Sequence, residues 1–368
     1  MNERLSSKMM GALPGTVSHS PGWRRGPRSL TFQEWPKADQ DAWLEACRPG
    51  HRLRPGGAAS HLNAISRGDL ERRYGAYLAF LERASRLERY GQPAAHVTPV
   101  NVADYLTELK GRVRSVTVWN AIYKLRRLAE LISPRRDFSW LTDIENDLAL
   151  VMEPQSKIDR LVLSQVLVET GLTLIVEAET DAKPDFVRAR AARNGLMIAL
   201  LALCPIRIKN FASLELGRTI RKVDCGWWIV LPGNSTKTRT PDERPVPDYM
   251  GAFIDKYVNL HRPRLIRAGV SSSAFWISSS DGKAMTTKGM ALTISKTTRR
   301  TLGVDVSPHL FRTAAASTAA VYGGSTPHLA SAVLTHRDPR ITEEHYTRAS
   351  SMSAARAYAA ITDSYRVR

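Results

Sequence analysis

Cysteine is scarce in this 368-residue chain: Cys47, Cys204 and Cys225 are few, odd in number and far apart. That excludes a disulfide framework and leaves no ligand spacing for a structural zinc; a reducing cytoplasm fits. Long hydrophobic runs are also absent. The most apolar stretch, residues 196–204, is far too short to span a bilayer. Neither a signal-peptide pattern nor a lipidation motif stands out, so no membrane is expected as partner. There is no G-x-x-x-x-G-K-[ST] cradle for a nucleotide and no H-E-x-x-H pair for a hydrolytic zinc. No cofactor and no metal site are expected.

Acidic residues are the next shortage. Thirty-five Asp and Glu stand against 53 Lys and Arg, a formal charge of +18 with a pI near 10.1. Such an excess points to a polyanionic partner, and nucleic acid suits it better than a membrane surface. Apolar content of 43% and charged content of 24% are globular values, and the length allows two domains, each with its own core.

Residues 1–29 mix Gly, Pro, Ser and Arg without periodicity and read as a flexible basic arm. Residues 30–153 read as all helical. A short amphipathic segment is expected at 39–47 and a basic loop at 51–57. A helix over 69–89 carries Leu70, Tyr74, Tyr77, Leu78 and Leu81 at helical spacing. Thr98-Pro99 starts the next helix, with Val102, Tyr105, Leu106 and Leu109 on one face. Ser115 is expected to cap a third, with Val118, Ile122, Leu125, Ala129 and Ile132 inward. Its other face carries Lys124, Arg126 and Arg127, candidates for DNA phosphate contact. A closing helix is expected at 143–152. The polar, proline-containing residues 154–158 read as a linker.

Residues 159–368 form the expected second domain. Helices are predicted over 159–179 and from Pro184 to about Leu203; the apolar end of the latter should be buried on most sides. Arg207 lies just beyond it, and a charge at the mouth of so apolar a helix needs a partner. Strands are predicted at 227–231 and 244–247, joined by the polar hairpin loop 232–241, and a further short strand at 275–277. A basic helix over 286–302 carries Lys288, Lys296, Arg299 and Arg300, suited to a DNA groove or backbone. Ser307-Pro308 then reads as a cap followed by proline at the first helical position. On that helix His309 and Arg312 share a face. Gly323 and Gly324 end it, a short helix over 327–334 leads to His336, and Tyr346 follows the Asp338-Pro339 turn. Two imidazoles, a guanidinium and a phenol suit a phosphodiester: the fork grips phosphate oxygens, imidazoles move protons, and a phenolate attacks.

The order HLFR, LTHRDP, then Tyr346 resembles the C-terminal signature of the tyrosine recombinases, the phage-integrase family. Arg207 resembles that family's first catalytic arginine. Lys237, in Thr-Lys-Thr ahead of the RPVP of residues 244–247, resembles its hairpin lysine, with Arg239 the runner-up. The sequence departs from the family at Asn210, where an acidic residue often stands, and in a His336–Tyr346 separation one residue longer than is common.

The resemblance implies a fold that is mainly α with a small β-sheet: a helical core-binding domain that clasps DNA, plus an α+β catalytic domain. The alanine-rich tail helix at 351–360 could pack in cis or on a neighbouring protomer. It also implies site-specific recombination of DNA at the nucleoid. Tyr346 is the nucleophile that forms a 3′-phosphotyrosine, and Arg207 and Arg312 hold the non-bridging oxygens. Lys237 protonates the 5′-oxygen, His309 assists proton transfer, and His336 hydrogen-bonds the phosphate. Double-stranded DNA, a homotetramer on paired sites and accessory DNA-bending proteins are the implied partners. A type IB topoisomerase and a non-cleaving regulator on the same scaffold are the alternatives.

Overall fold

The computed structural model describes residues 28–154, 158–224, 226–236, 239–322 and 333–334. The chain divides into two compact units, Met1–Gln155 and Ser156–Arg368. Most of the expected basic arm and residues 155–157 of the expected linker lie outside the described residues.

The first unit is built from α1 (Lys37–Cys47), α2 (Ala64–Arg83), α3 (Pro99–Arg112), α4 (Ser115–Ile132) and α5 (Ser139–Leu150). Helix α2 starts earlier than its apolar pattern indicates, because the Asn63 side chain accepts the Ser66 N–H at 2.9 Å. It also stops sooner, and Ser85 turns the chain away at φ 56°. Thr98 caps α3, with Pro99 in the first turn, as the sequence indicates. Ser115 does not cap α4. It is the first helical residue, and its hydroxyl accepts the Glu153 N–H at 3.1 Å.

The five expected inward residues of α4 are all buried. They meet an aromatic core in which Trp35 stands edge-on to Tyr74 at 4.9 Å and Tyr105 edge-on to Tyr77 at 5.2 Å. Gly75 lets the backbone at Leu30 cross α2: a Cβ there would lie 2.2 Å from the Leu30 carbonyl oxygen.

The second unit opens with α6 (Ser164–Thr180) and α7 (Asp185–Leu203). Each of Gly171 and Gly195 meets the other's carbonyl, so a Cβ on either would come within 2.6 Å of that oxygen. The two helices can approach this closely only with glycine at both positions. From Gly195 to Ala202 every residue of α7 is buried, which is why the stretch shows no polar stripe.

After α8 (Ile208–Ala212) come three antiparallel strands in the order β1 (Ile220–Val223), β2 (Gly226–Leu231) and β3 (Asp242–Pro245). Strand β2 alternates, with Trp227, Ile229 and Leu231 inward. The short, charged β1 is not legible as a strand beforehand. The strand expected at 275–277 is not formed: Ala274 and Ile277 make only single bridges, to Glu215 and Ala284.

Helix α9 (Gly251–Lys256), a π-turn (Tyr257–His261) and α10 (Arg262–Leu265) follow without a break. Then come α11 (Thr287–Leu302), capped by Thr286, and α12 (Pro308–Tyr322). Phe211, Phe275, Trp276, Leu310 and Phe311 join α7 and β2 in one core. The fold is mainly helical with one small sheet, as expected.

Candidate active site

The buried end of α7 fixes the first element of the site. Cys204, Pro205 and Ile206 leave the helix buried, and Arg207 becomes the N-cap residue of α8. Its guanidinium emerges half-buried and, among the described residues, without a hydrogen-bond or ion-pair partner. Asn210, one turn on, is buried.

Helix α12 supplies the second element. Leu310, Phe311, Ala314 and Ala316 anchor it in the core, so its remaining side is set by packing. His309 is exposed at its first turn, and Arg312 lies three residues on. The Arg312 guanidinium donates to the carbonyl oxygen of Pro205, at the corner that presents Arg207, and to that of Leu334 at 2.7 Å. Burial pushes the Arg312 pKa down to about 10; the positive charges of Arg207 and Arg244 add to this, and Asp242 opposes them. Two arginines distant in sequence thus lie near enough for the charge of one to act on the other. Two neighbouring guanidiniums are suited to a phosphodiester monoanion and to the second negative charge that its pentacovalent state develops.

Strand β3 brings the third element, whose RPVP stretch serves in the sequence only as a register mark for Lys237. Arg244 grips Asp242 with both arms of its fork, at 2.7 and 2.9 Å, and donates to the Val333 carbonyl at 2.8 Å. In the β2–β3 ladder Asp242 faces Leu231 and Arg244 faces Ile229. Paired residues share a face, so the two charges lie on the buried side of an edge strand. An Asp-x-Arg alternation opposite apolar partners was the available signal.

Lys237 lies outside the described residues, as do His336 and Tyr346. The Thr236 hydroxyl donates to the Thr240 carbonyl at 2.8 Å. Arg239, the runner-up, sits at φ 57°. The expected tail helix and the segment past Tyr322, apart from Val333 and Leu334, lie outside the described residues too.

The basic candidates divide. Lys288, Lys296 and Arg299 are exposed on α11 at near-helical repeats, with Arg300 beside them and no carboxylate partner among the described residues. In the first unit the expected outward face of α4 is partly turned to structural use. Arg126 donates twice to Glu145, at 2.6 and 3.0 Å, and once to Glu130 at 2.7 Å, so three of its donors are held by carboxylates. Lys124 lies 3.4 Å from Asp69, and Arg127 lies 3.9 Å from Glu130.

The phage integrase family model matches residues 165–352, just over half of the chain and all of the pocket. The chain belongs to the phage integrase family. No curated protein matches it. Among solved structures, the XerH site-specific recombinase bound to difH substrate, a pre-cleavage complex, is 17% identical. That match covers 76% of this chain and 74% of that one, with a TM-score of 0.51. A lambda integrase dimer bound to a COC′ core site is 13% identical over 78% and 90%, at 0.47. The XerA recombinase is 15% identical over 82% and 94%, at 0.36. The XerH likeness is one of fold, and family membership rests on the model match. No helix among the described residues is long and apolar enough to cross a membrane. Nor do three or more His, Cys, Asp or Glu gather there as a metal cluster would.

Proposed function

We propose that the chain is a site-specific DNA recombinase that cleaves and rejoins duplex DNA through a 3′-phosphotyrosine. The observation that carries this reading is the meeting of Arg207 and Arg312 beside the Pro205 corner, within a chain of the phage integrase family. Two guanidiniums so placed can hold both non-bridging oxygens of one phosphate and stabilise the charge that builds there.

In the reading that follows, the Tyr346 oxygen attacks phosphorus and the P–O5′ bond breaks. Lys237 gives a proton to the leaving 5′-oxygen, and His309 takes part in moving the phenol proton. His336 donates to a phosphate oxygen. A 5′-hydroxyl from a second strand then attacks the phosphotyrosine and releases Tyr346. One ester is exchanged for another at each step, so the cycle balances without a nucleotide. Exchange between two duplexes calls for four protomers. The exposed cations of α11 are suited to backbone contact, and the excess of 53 basic over 35 acidic residues supports duplex DNA as the partner.

The test is covalent capture on nicked duplexes of randomised sequence, where the released strand diffuses away and the adduct accumulates. The parent chain should give a denaturant-resistant adduct and, through the captured sequences, its site. Tyr346→Phe removes only the attacking oxygen, so it should bind the captured duplex as the parent does and give no adduct. Tyr358→Phe and Tyr365→Phe should keep it. An adduct from Tyr346→Phe sinks the nucleophile assignment. Relaxation of supercoils lacking any captured site, with no joining between sites, would move the reading to a topoisomerase.

A further inference from the structure

The geometry points to Arg244, oriented by Asp242, as a positioning residue of the active centre: with Arg312 it fixes the consecutive carbonyls of Val333 and Leu334, and through that shared peptide it sets where the Arg312 guanidinium stands. The inference rests on the recombinase reading above.

Three observations converge on it. Arg244 and Asp242 are each 13% exposed and lie on the core-facing side of an edge strand, where an apolar pair would pack without desolvation cost. Charges held at such a position are expected to have a partner that apolar side chains could not serve. Second, that partner is present. Arg244 spends two donors on Asp242 and sends Nη1 to the Val333 oxygen, while Arg312 Nη2 reaches the oxygen of the very next residue. Two adjacent carbonyls gripped by two different guanidiniums leave that peptide little freedom to rotate. Leu334 is itself buried against Ala315, Ala316 and Ala319 of α12, so its side chain is fixed as well as its carbonyl. Third, the charges of Arg244 and Asp242 both act on Arg312, with opposite signs. Asp242 supplies a carboxylate within the guanidinium group in a chain where residue 210 is an uncharged Asn.

The two bonds to Asp242 also separate Arg244 from a phosphate ligand. Its two arms are closed on Asp242 and its third contact is to backbone, so the fork is not presented to DNA. Arg244 therefore acts through the peptide it holds and not on the phosphate. Lysine at 244 would keep the charge but lose the planar, two-armed grip.

The experiment uses the full chain and the duplex captured by the parent. Arg244→Lys and Asp242→Asn should bind that duplex with a dissociation constant within about twofold of the parent. Their single-turnover adduct rate at saturating duplex should fall about 100-fold, the loss expected when a reacting group is displaced by about 1 Å. The loss should persist at every temperature well below each variant's own melting midpoint, which a general loosening of the fold would not produce. The double variant should lose no more than Arg244→Lys alone, because Asp242 acts through Arg244. Should Arg244→Lys not fold, Asp242→Asn carries the same test. An unchanged rate at saturation overturns the inference. So does a weakened affinity and shallower salt slope with an unchanged saturated rate, which would make Arg244 a phosphate ligand. If the parent itself forms no adduct, the recombinase reading fails and this inference with it; if the parent reacts and the variants match it, only this inference fails.

Discussion

The two units treat buried charge in opposite ways. In the first, arginine meets carboxylate: Arg83 Nη2 donates to both carboxylate oxygens of Glu108 at 3.0 Å, and Arg126 is held by Glu145 and Glu130. The buried Asp39 is satisfied by the Tyr74 hydroxyl and the Ala94 N–H, both at 2.8 Å. In the second unit, buried arginines rest on backbone carbonyls. Arg193 donates to Ile277 at 2.6 Å, Arg262 to Ala274 and Ser272, and Arg312 to Pro205 and Leu334. The division has exceptions, since Arg136 of the first unit also donates to two carbonyls, and Arg244 of the second holds Asp242.

The consequence is electrostatic. Hydrogen bonding to Glu145 and then Glu130 raises the pKa of Arg126, whereas burial pushes Arg193 and Arg312 down to about 10. A carbonyl satisfies a guanidinium's protons without cancelling its charge. Arg193 thus keeps its charge in the interior of the second unit, and Arg207 adds its own beside Arg312.

The largest expected effect tests that reading directly. Arg312→Gln keeps a polar side chain that can reach one carbonyl but removes the charge. Adduct formation on the captured duplex should fall about 100- to 1,000-fold, the scale for losing one preorganised donor to a transition-state oxyanion. Arg126→Gln, where the charge is already cancelled, should leave the rate at saturation unchanged. Comparable losses from the two would erase the distinction between cancelled and retained charge.

Stability should respond in the reverse order. Arg126→Ala leaves Glu145, 7% exposed, without its principal partner between α4 and α5. A cost of about 2–4 kcal/mol in denaturant unfolding of the first unit is expected, less than for a fully buried pair because Arg126 is 17% exposed. A double change to Arg126→Met and Glu145→Leu should recover most of it, since neither charge is then stranded. A loss under about 0.5 kcal/mol for Arg126→Ala would place the pair among surface bridges.

How much of this was legible in the sequence follows the physics of each signal. The helices of the first unit are visible because one face of each must be apolar, and the buried stripe of α4 matches its pattern residue for residue. Arg207 and Arg312 are visible because an H-x-x-R pair after a cap, and an arginine after an apolar helix, are local patterns. Arg126 shows the limit of a local pattern: on a helix wheel it looks solvated, and only α5, folding back, brings Glu145 to it. Strand β1 hides because its burial pattern has a single inward residue, Ile220. The 275–277 segment deceives because an aromatic, β-branched run also fits a buried loop whose carbonyls are satisfied by Arg193 and Tyr257. The Asp242–Arg244 pair shows in the sequence only as an Asp-x-Arg alternation, because its contact to Val333 is one that this spacing does not encode.

The smallest expected effect concerns acid. His261 ends the π-turn 1% exposed, and among the described residues neither ring nitrogen has a hydrogen-bond partner. Around it stand Arg264, Lys256 and Arg188, with Glu179 paired to Lys256 at 2.7 Å and Asp185 paired to Arg264 at 2.9 Å. Burial, and then the charge of Arg264, hold its pKa below the ordinary 6.5. The folded unit therefore resists a proton that the unfolded chain accepts. As pH falls below about 6.5 the unfolded state is favoured, and the loss grows until the folded-state value is reached. The first unit has a mixed response. Burial also lowers His96, but it raises Asp39, 3.9 Å away; a raised carboxyl adds stability as pH falls, so the two oppose each other. Amide hydrogen exchange between pH 7 and 5, corrected for intrinsic rates, should show protection falling in α7 and α9–α10 more than in α2–α3. His261→Leu, which fills the same site without a titrating ring, should flatten the second unit's slope and leave the first unit's alone. An unchanged slope in that variant would assign the acid sensitivity to groups other than His261.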